Sequence, residues 1–164
     1  ATEEDGYSFY FKHKKEWEGV LPESLTDAIY AFYIANAIRD LRGDRKTHRS
    51  MLVNMSRFVM VQKHILSVIE KIHNIAYRNI KFNLSDDFDE SMKNPILKRI
   101  YEIWETQYSD TEFTWDEIAE VLCESIEPIM IKVVNSARNS VNLCILKMRE
   151  SVLLLSAVLL FRED

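Results

Sequence analysis

The sequence predicts a helix-dominated α/β fold in which two parallel strands, near residues 51–56 and 129–135, are separated by a helical insertion. Three observations predict it. Only three glycines and three prolines occur in 164 residues, which favours long helices over a turn-rich sandwich or barrel. The apolar run from Met51 to Met55 has no helical period, whereas from Arg57 onward Val61, Ile65, Val68, Ile69, Ile72, Ile75 and Ala76 recur at helical spacing. A second β-branched run, Ile129 to Val134, is closed by Asn135-Ser136 and reads as another strand.

Taken in order, residues 1–20 are polar and aromatic without a sustained period and form an irregular lead-in. Leu21-Pro22 opens a helix, because proline is tolerated in a first turn. Its apolar face is Leu25, Ala28, Ile29, Phe32, Ala35, Ile38 and Leu41, and Gly43 suits a left-handed stop, so the helix occupies 21–43. Residues 47–79 follow as strand, turn and helix. The strand is short and apolar, as expected of one buried on both faces. Residues 80–128 form the helical insertion, beginning with a loop over 80–93. Asn94-Pro95 starts one helix of that insertion, with Ile96, Ile100, Ile103 and Trp104 on one face. Thr114-Trp115-Asp116-Glu117 has capping-box spacing and starts the next, with Phe113 and Ile118 placed as a hydrophobic staple; Pro128 stops it. Residues 129–143 supply the second strand and a loop, and 144–164 an apolar tail. A strand–helix–strand crossover of this kind is right-handed and implies parallel strands.

Composition narrows the chemistry. With 47% hydrophobic residues the chain can fill a packed core. Gly6, Gly19 and Gly43 cannot build a dinucleotide loop or a GxxxxGK[ST] phosphate cradle. Net charge is −5, so nucleic-acid binding must be local. Such a local cluster exists: Arg39, Arg42, Arg45, Lys46, His48, Arg49 and Arg57. A solvated helix end with its loop accounts for that cluster as well as an anion site does. Asp86, Asp87, Asp89 and Glu90 lack the glycine and spacing of a calcium loop and read as a solvated loop. His64 and His73, nine residues apart on a core-facing helix, read as packing residues, so no metal site is assigned. Cys123 and Cys144 are too few for a disulfide scaffold and fit a reducing, cytoplasmic setting. The apolar run Val152 to Phe161 is half the length needed to cross a bilayer, and no membrane association is expected.

Two segments carry a resemblance. LPESLTDAIYAFYIANAIRDLRG (Leu21 to Gly43) and HRSMLVNMSRFVMVQ (His48 to Gln62) resemble the Z-one domain of endonuclease-like bacterial proteins that are similar to superfamily-two helicases. That family's pattern is roughly LPxSLxxAIxxFxxxxAxRxxRG followed by HxSMLVHxSRxxxxQ. Asn54 stands where the family has a second histidine, so hydrogen bonding could persist at that position while acid–base chemistry could not. SMLVNMSR is similar to the first strand of the second RecA-like lobe of helicases and the turn after it, which contacts the nucleic-acid backbone. The resemblance thus implies a partial second RecA-like lobe, with 21–43 as the interlobe helix.

It also implies DNA as a partner, with Arg39, Arg42, His48, Ser50, Asn54, Ser56 and Arg57 as the nucleic-acid-binding residues. ATP and magnesium are implied for the full-length parent and no cofactor for this segment, which alone is expected to be inactive. The other implied partners are the remaining lobes of the parent and other components of a restriction or phage-defence system. Ser56 and Arg57 at a strand end would offer one phosphate a hydroxyl, a guanidinium and the free N–H groups of a helix N-terminus. Ser56 acting only as a helix cap explains the same residue. A nuclease core of the Asp…(Asp/Glu)-x-Lys kind cannot be assigned. A rival reading is a helical protein–protein docking module without DNA contact, supported by the acidic balance and by Tyr101, Trp104, Tyr108, Phe113 and Trp115.

The tail departs from the family pattern, which continues with a polar loop, a strand ending in two glycines and an SRG motif. Codons for Cys144 to Asp164, read one base earlier with permitted synonymous choices, can encode all three. Translation is therefore expected to leave the family frame near Leu143.

Overall fold

The computed structural model describes residues 21–54, 59–85, 87–135 and 142–148. Helix α1 runs over Glu23–Leu41, strand β1 over Ser50–Asn54 and helix α2 over Val59–Asn83. The short helix α3 (Phe88–Ser91) leads to α4 (Pro95–Gln107) and α5 (Trp115–Ile126), and strands β2 (Ile129–Asn135) and β3 (Asn142–Met148) follow. The architecture is helix-dominated, as the scarcity of glycine and proline predicts.

Each helix end has a local cause. Pro22 holds an extended conformation just before α1, and Gly43, at φ 79°, closes it. The Asp44 N–H donates to the Arg39 carbonyl and the Gly43 N–H to the Asp40 carbonyl, the paired bonds of a Schellman stop. The Asn94 side chain accepts from the N–H groups of Ile96 and Leu97 at the start of α4, and its amide donates to Asn79 Oδ1 of α2 at 2.6 Å. The expected capping box of α5 is complete, with Thr114 and Glu117 satisfying each other's backbone N–H groups. The expected loop over 80–93 is more ordered than its composition suggests: α2 continues to Asn83, and the Asp87 side chain caps α3 by accepting from the Glu90 N–H.

The core forms where α1 packs against α4 and α5, with α2 against α5, α4 and the strands β2 and β3. Ile29, Tyr33, Ile34 and Ala37 of α1 meet Ile65 and Ile69 of α2, Leu97 and Ile100 of α4, and Ile118 and Leu122 of α5 in one buried cluster. The face of α1 expected to be buried is only partly so. Ala28 is exposed, while Tyr33, Ile34 and Ala37, outside the expected face, are buried. The reason is that α1 is apolar around most of its circumference and is enclosed by more than one helix. In α2 the expected stripe is buried or half-buried except at Ile75, which is exposed.

The strands form one sheet in the order β1-β3-β2, and both pairings are antiparallel. The two expected strands are parallel in direction but are not neighbours. β1 and β2 run in the same direction, because each is antiparallel to β3, but β3 lies between them and they do not pair. The six residues between β2 and β3 allow a hairpin, and the returning strand takes the central place that a parallel neighbour would have occupied. Burial on both faces of the first strand is corrected. Val53 is buried and Met51 half-buried, but Ser50 is exposed and Leu52 is 40% exposed. This alternation follows from packing the sheet on α2 with its other side outward.

Candidate nucleic-acid interface

The connection from α1 to β1 holds most of the basic cluster, and its geometry is set by carboxylates. Arg39 donates from Nε (2.8 Å) and Nη2 (2.5 Å) to one oxygen of Asp44. Arg42 grips Glu112, in the approach to α5, through a fork of 2.6 and 2.7 Å. Hydrogen bonding from Arg42 holds the Glu112 carboxyl down to about 2, so that pair stays ionised through neutral pH. Thr47 donates its hydroxyl to Asp44, and that bond, with Arg39 second, lowers the Asp44 pKa.

Arg49 is the centre of this junction. It is buried, with Nη1 donating to the Asn36 carbonyl at 2.8 Å and Nη2 to Asp40 Oδ1 at 2.6 Å. It also donates to the backbone carbonyl of Asp44. The other oxygen of Asp40 accepts from the Ser125 hydroxyl at 2.6 Å. One guanidinium therefore ties the last turns of α1, the loop after it and α5 to the entrance of β1. Sequence reasoning counted Arg49 only as a member of a basic cluster and passed over Asp40 and Ser125. The available signal was an arginine just before the apolar run of a strand, nine residues after Asp40 and five after Asp44.

The seven expected DNA-binding residues divide into two groups. Arg39, Arg42, His48 and Ser50 belong to the α1–β1 junction. There Ser50 is exposed, His48 is half-buried with Nε2 lacking a partner among the described residues, and both arginines are paired. Asn54 lies at the far end of β1 from Ser50, and its side chain lies outside the described residues, as do Ser56 and Arg57. The length of β1 puts the Asn54 backbone roughly 13 Å from Ser50. Ser50 and Asn54 thus lie at the two ends of one strand.

The aromatic residues of the rival reading are largely engaged with one another. Tyr101 meets the edge of Trp115 at 5.2 Å between ring centroids, and Trp104 lies 5.8 Å from Trp115. Tyr108 donates to the Ala31 carbonyl. His73 accepts this packing role too, 2.7 Å from the Tyr33 hydroxyl, and burial lowers its pKa. Among the described residues no group of His, Cys, Asp and Glu is arranged to hold a metal ion. Asp87 caps α3 and Glu90 pairs with Lys93, while Asp86 lies outside the described residues.

With the junction in view, the comparison with protein families is decisive. The family model of the Z1 domain matches residues 24–154. This chain belongs to the Z1 domain family. The match takes in every element from the first turn of α1 to β3 and runs past Leu143. No curated protein and no solved structure matches the chain. The first motif that carries the Z1 resemblance ends, and the second begins, at the junction where Arg49 locks the end of α1 to the start of β1. Among the described residues, no helix of this Z1 domain is long and apolar enough to cross a membrane.

Proposed function

We propose that this Z1 domain is the DNA-engaging part of an endonuclease-like, helicase-related protein of a bacterial restriction or phage-defence system. The observation that supports the reading best is the Z1 family match over motifs that meet at the α1–β1 junction. In this reading β1 delivers Asn54, Ser56 and Arg57 toward a DNA phosphate, while Arg49 and Asp40 fix the strand from its other end. Arg39, Arg42, His48 and Ser50 flank the approach. Arg39 and Arg42 would exchange Asp44 and Glu112 for phosphate, which favours binding at low ionic strength, where a polyanion competes best.

A strand leading through a turn into a long helix is the feature the second RecA-like lobe of helicases would share with β1 and α2. ATP and magnesium belong, in this proposal, to the remaining lobes of the parent protein. Among the described residues none fits them: Gly43, the one described glycine, closes a helix instead of leading a strand into one. The other partners proposed are those remaining lobes and further defence-system proteins, in a cytoplasmic setting without a membrane.

The docking alternative loses support because Trp104, Trp115 and Tyr101 pack on each other and on the core. The test is DNA binding by the full-length protein across a salt series. Arg57→Ala is expected to weaken binding with little sequence dependence and to flatten the salt slope by about one unit. An unchanged slope in a normally folded variant would reduce Arg57 to a structural residue. No binding by the parent at any salt concentration would favour docking.

A further inference from the structure

The cations of this chain differ in whether they have partners. Arg39, Arg42, Arg49, Lys93 and Arg99 each face a carboxylate. Exposed Arg45, Lys46, Lys98 and Lys132 have no ion-pair partner among the described residues, but helix α2 gathers four such cations. Lys63, Lys71, Arg78 and Lys81 are exposed on it, and among the described residues none has an ion-pair partner. Lys81 instead lies 5.5 Å from the Tyr77 ring centroid. Glu70 is the one acidic residue in the helix.

Their spacing makes a line. At 100° per residue the four cations fall within an arc of ~80°, spread over ~27 Å of helix. Exposed Ser67 and Asn74 lie within the same arc and add hydrogen-bonding groups between the charges. The opposite side of the helix buries Ile65, Ile69, Ala76 and Ile80, so the cationic arc is held outward by the core. Phe82, one turn beyond Arg78, is 75% exposed, the most exposed large apolar side chain described. Helix α5, packed alongside α2, carries only acidic charge, which would confine a polyanion to the outer arc of α2.

We propose that the outer face of α2 is a track for single-stranded nucleic acid. The sugar-phosphate backbone follows Lys63, Lys71 and Arg78, and a base stacks on Phe82. This deepens and rests on the DNA reading above, but it uses residues that lie beyond both Z1 motifs. A single row of cations ending in an exposed aromatic ring matches one strand with an accessible base better than a duplex, whose bases are already stacked. An anionic membrane is a poorer occupant, because exposed Met60, Ile75 and Phe82 are spread singly over ~33 Å of the helix and form no continuous apolar patch.

The experiment measures fluorescence anisotropy of a labelled 20-nucleotide single strand with the full chain across a salt series. The triple variant Lys63→Gln, Lys71→Gln, Arg78→Gln is expected to bind about tenfold or more weakly and to lose about two units of salt slope. Phe82→Ala is expected to weaken single-strand binding about tenfold while leaving duplex binding unchanged. A control, Lys98→Gln with Lys132→Gln, removes exposed cations from other elements and should leave binding as it was. If Arg57→Ala weakens binding and the triple variant does not, the track is overturned while the DNA reading stands. If the wild-type chain binds no nucleic acid, both fall. An equal loss in the control, an equal effect of Phe82→Ala on duplex, or a preference for phosphatidylserine vesicles over the single strand would each overturn the track.

Discussion

Arg49 and Asp40 form an ion pair of 2.6 Å in which only 2% and 10% of the respective side chains are exposed. Arg49 sits beside a motif that resembles a DNA-contacting strand, yet its guanidinium points into the protein. Its hydrogen bonds to two backbone carbonyls and the Ser125 bond to Asp40 add further partners to the pair, while Arg49 Nε has none among the described residues. Such a pair is costly to break from one side, because the surviving charge is left buried.

Arg49→Ala is therefore expected to destabilise the chain by about 3–5 kcal/mol, read as a lowered urea midpoint with little change in slope. Ser125→Ala should cost less, about 1.5–3 kcal/mol, since it removes one hydrogen bond to a charged group. A midpoint unchanged in Arg49→Ala, with DNA affinity reduced, would make Arg49 a contact residue instead of a lock.

At Gly43 the cost is purely conformational. Its φ is 79°, and a Cβ placed there meets nothing within 4 Å. Gly43→Ala should thus destabilise by about 1 kcal/mol from the left-handed backbone alone, and Gly43→Asn by less. Equal stability of all three in thermal unfolding would show that the stop relaxes without strain.

Acid should destabilise the domain in two steps of the same sign. Burial lowers the His73 pKa below 6.5, so folding disfavours its imidazolium; stability is full above that value and is lost as pH falls through the folded pKa. The Arg42 hydrogen bond, with a smaller backbone contribution, lowers Glu112 from 4.5 to about 2. The stability from that pairing is present above pH 4.5 and lost as pH falls toward 2. Unfolding midpoints measured from pH 8 to 2 should lose the upper step in His73→Gln and the lower step in Glu112→Gln. Identical pH profiles in wild type and both variants would contradict this assignment.

The tail prediction is decided at the level of DNA. Codons 144–164, read one base earlier, are expected to encode the glycine pair and SRG motif of the family pattern. Codons incapable of doing so would assign Cys144 to Met148 to the native strand β3.

What the sequence revealed was chemistry contained within a few residues. Thr114 and Glu117 specify the start of α5, Asn94 that of α4, and Gly43 the end of α1, each through bonds made within one turn. The core stripe of α2 was legible for the same reason, a period sustained over about four turns. Position in the sheet was not. Leu52 is exposed because it lies on the outward face of the sheet, and β1 lacks a parallel neighbour because β3 pairs with it from far along the chain; no local signal records either. The Arg49–Asp40 lock was hidden in another way. Its members read as ordinary surface charges until the loop after α1 folds Arg49 back under the helix end.

The central place of β3 also sets an order of events. Asn54 pairs with Leu143, about ninety residues further along the chain. At ~5–20 residues per second, a ribosome needs ~5–20 s to supply that partner after β1 emerges. Meanwhile Met51, Leu52 and Val53 have no neighbouring strand, whereas the contacts of α4 and α5 with α1 and α2 can already form. The helices would then assemble first and the sheet would close last, with β3 sliding between two waiting strands. Until it does, β1 is the segment most in need of a chaperone.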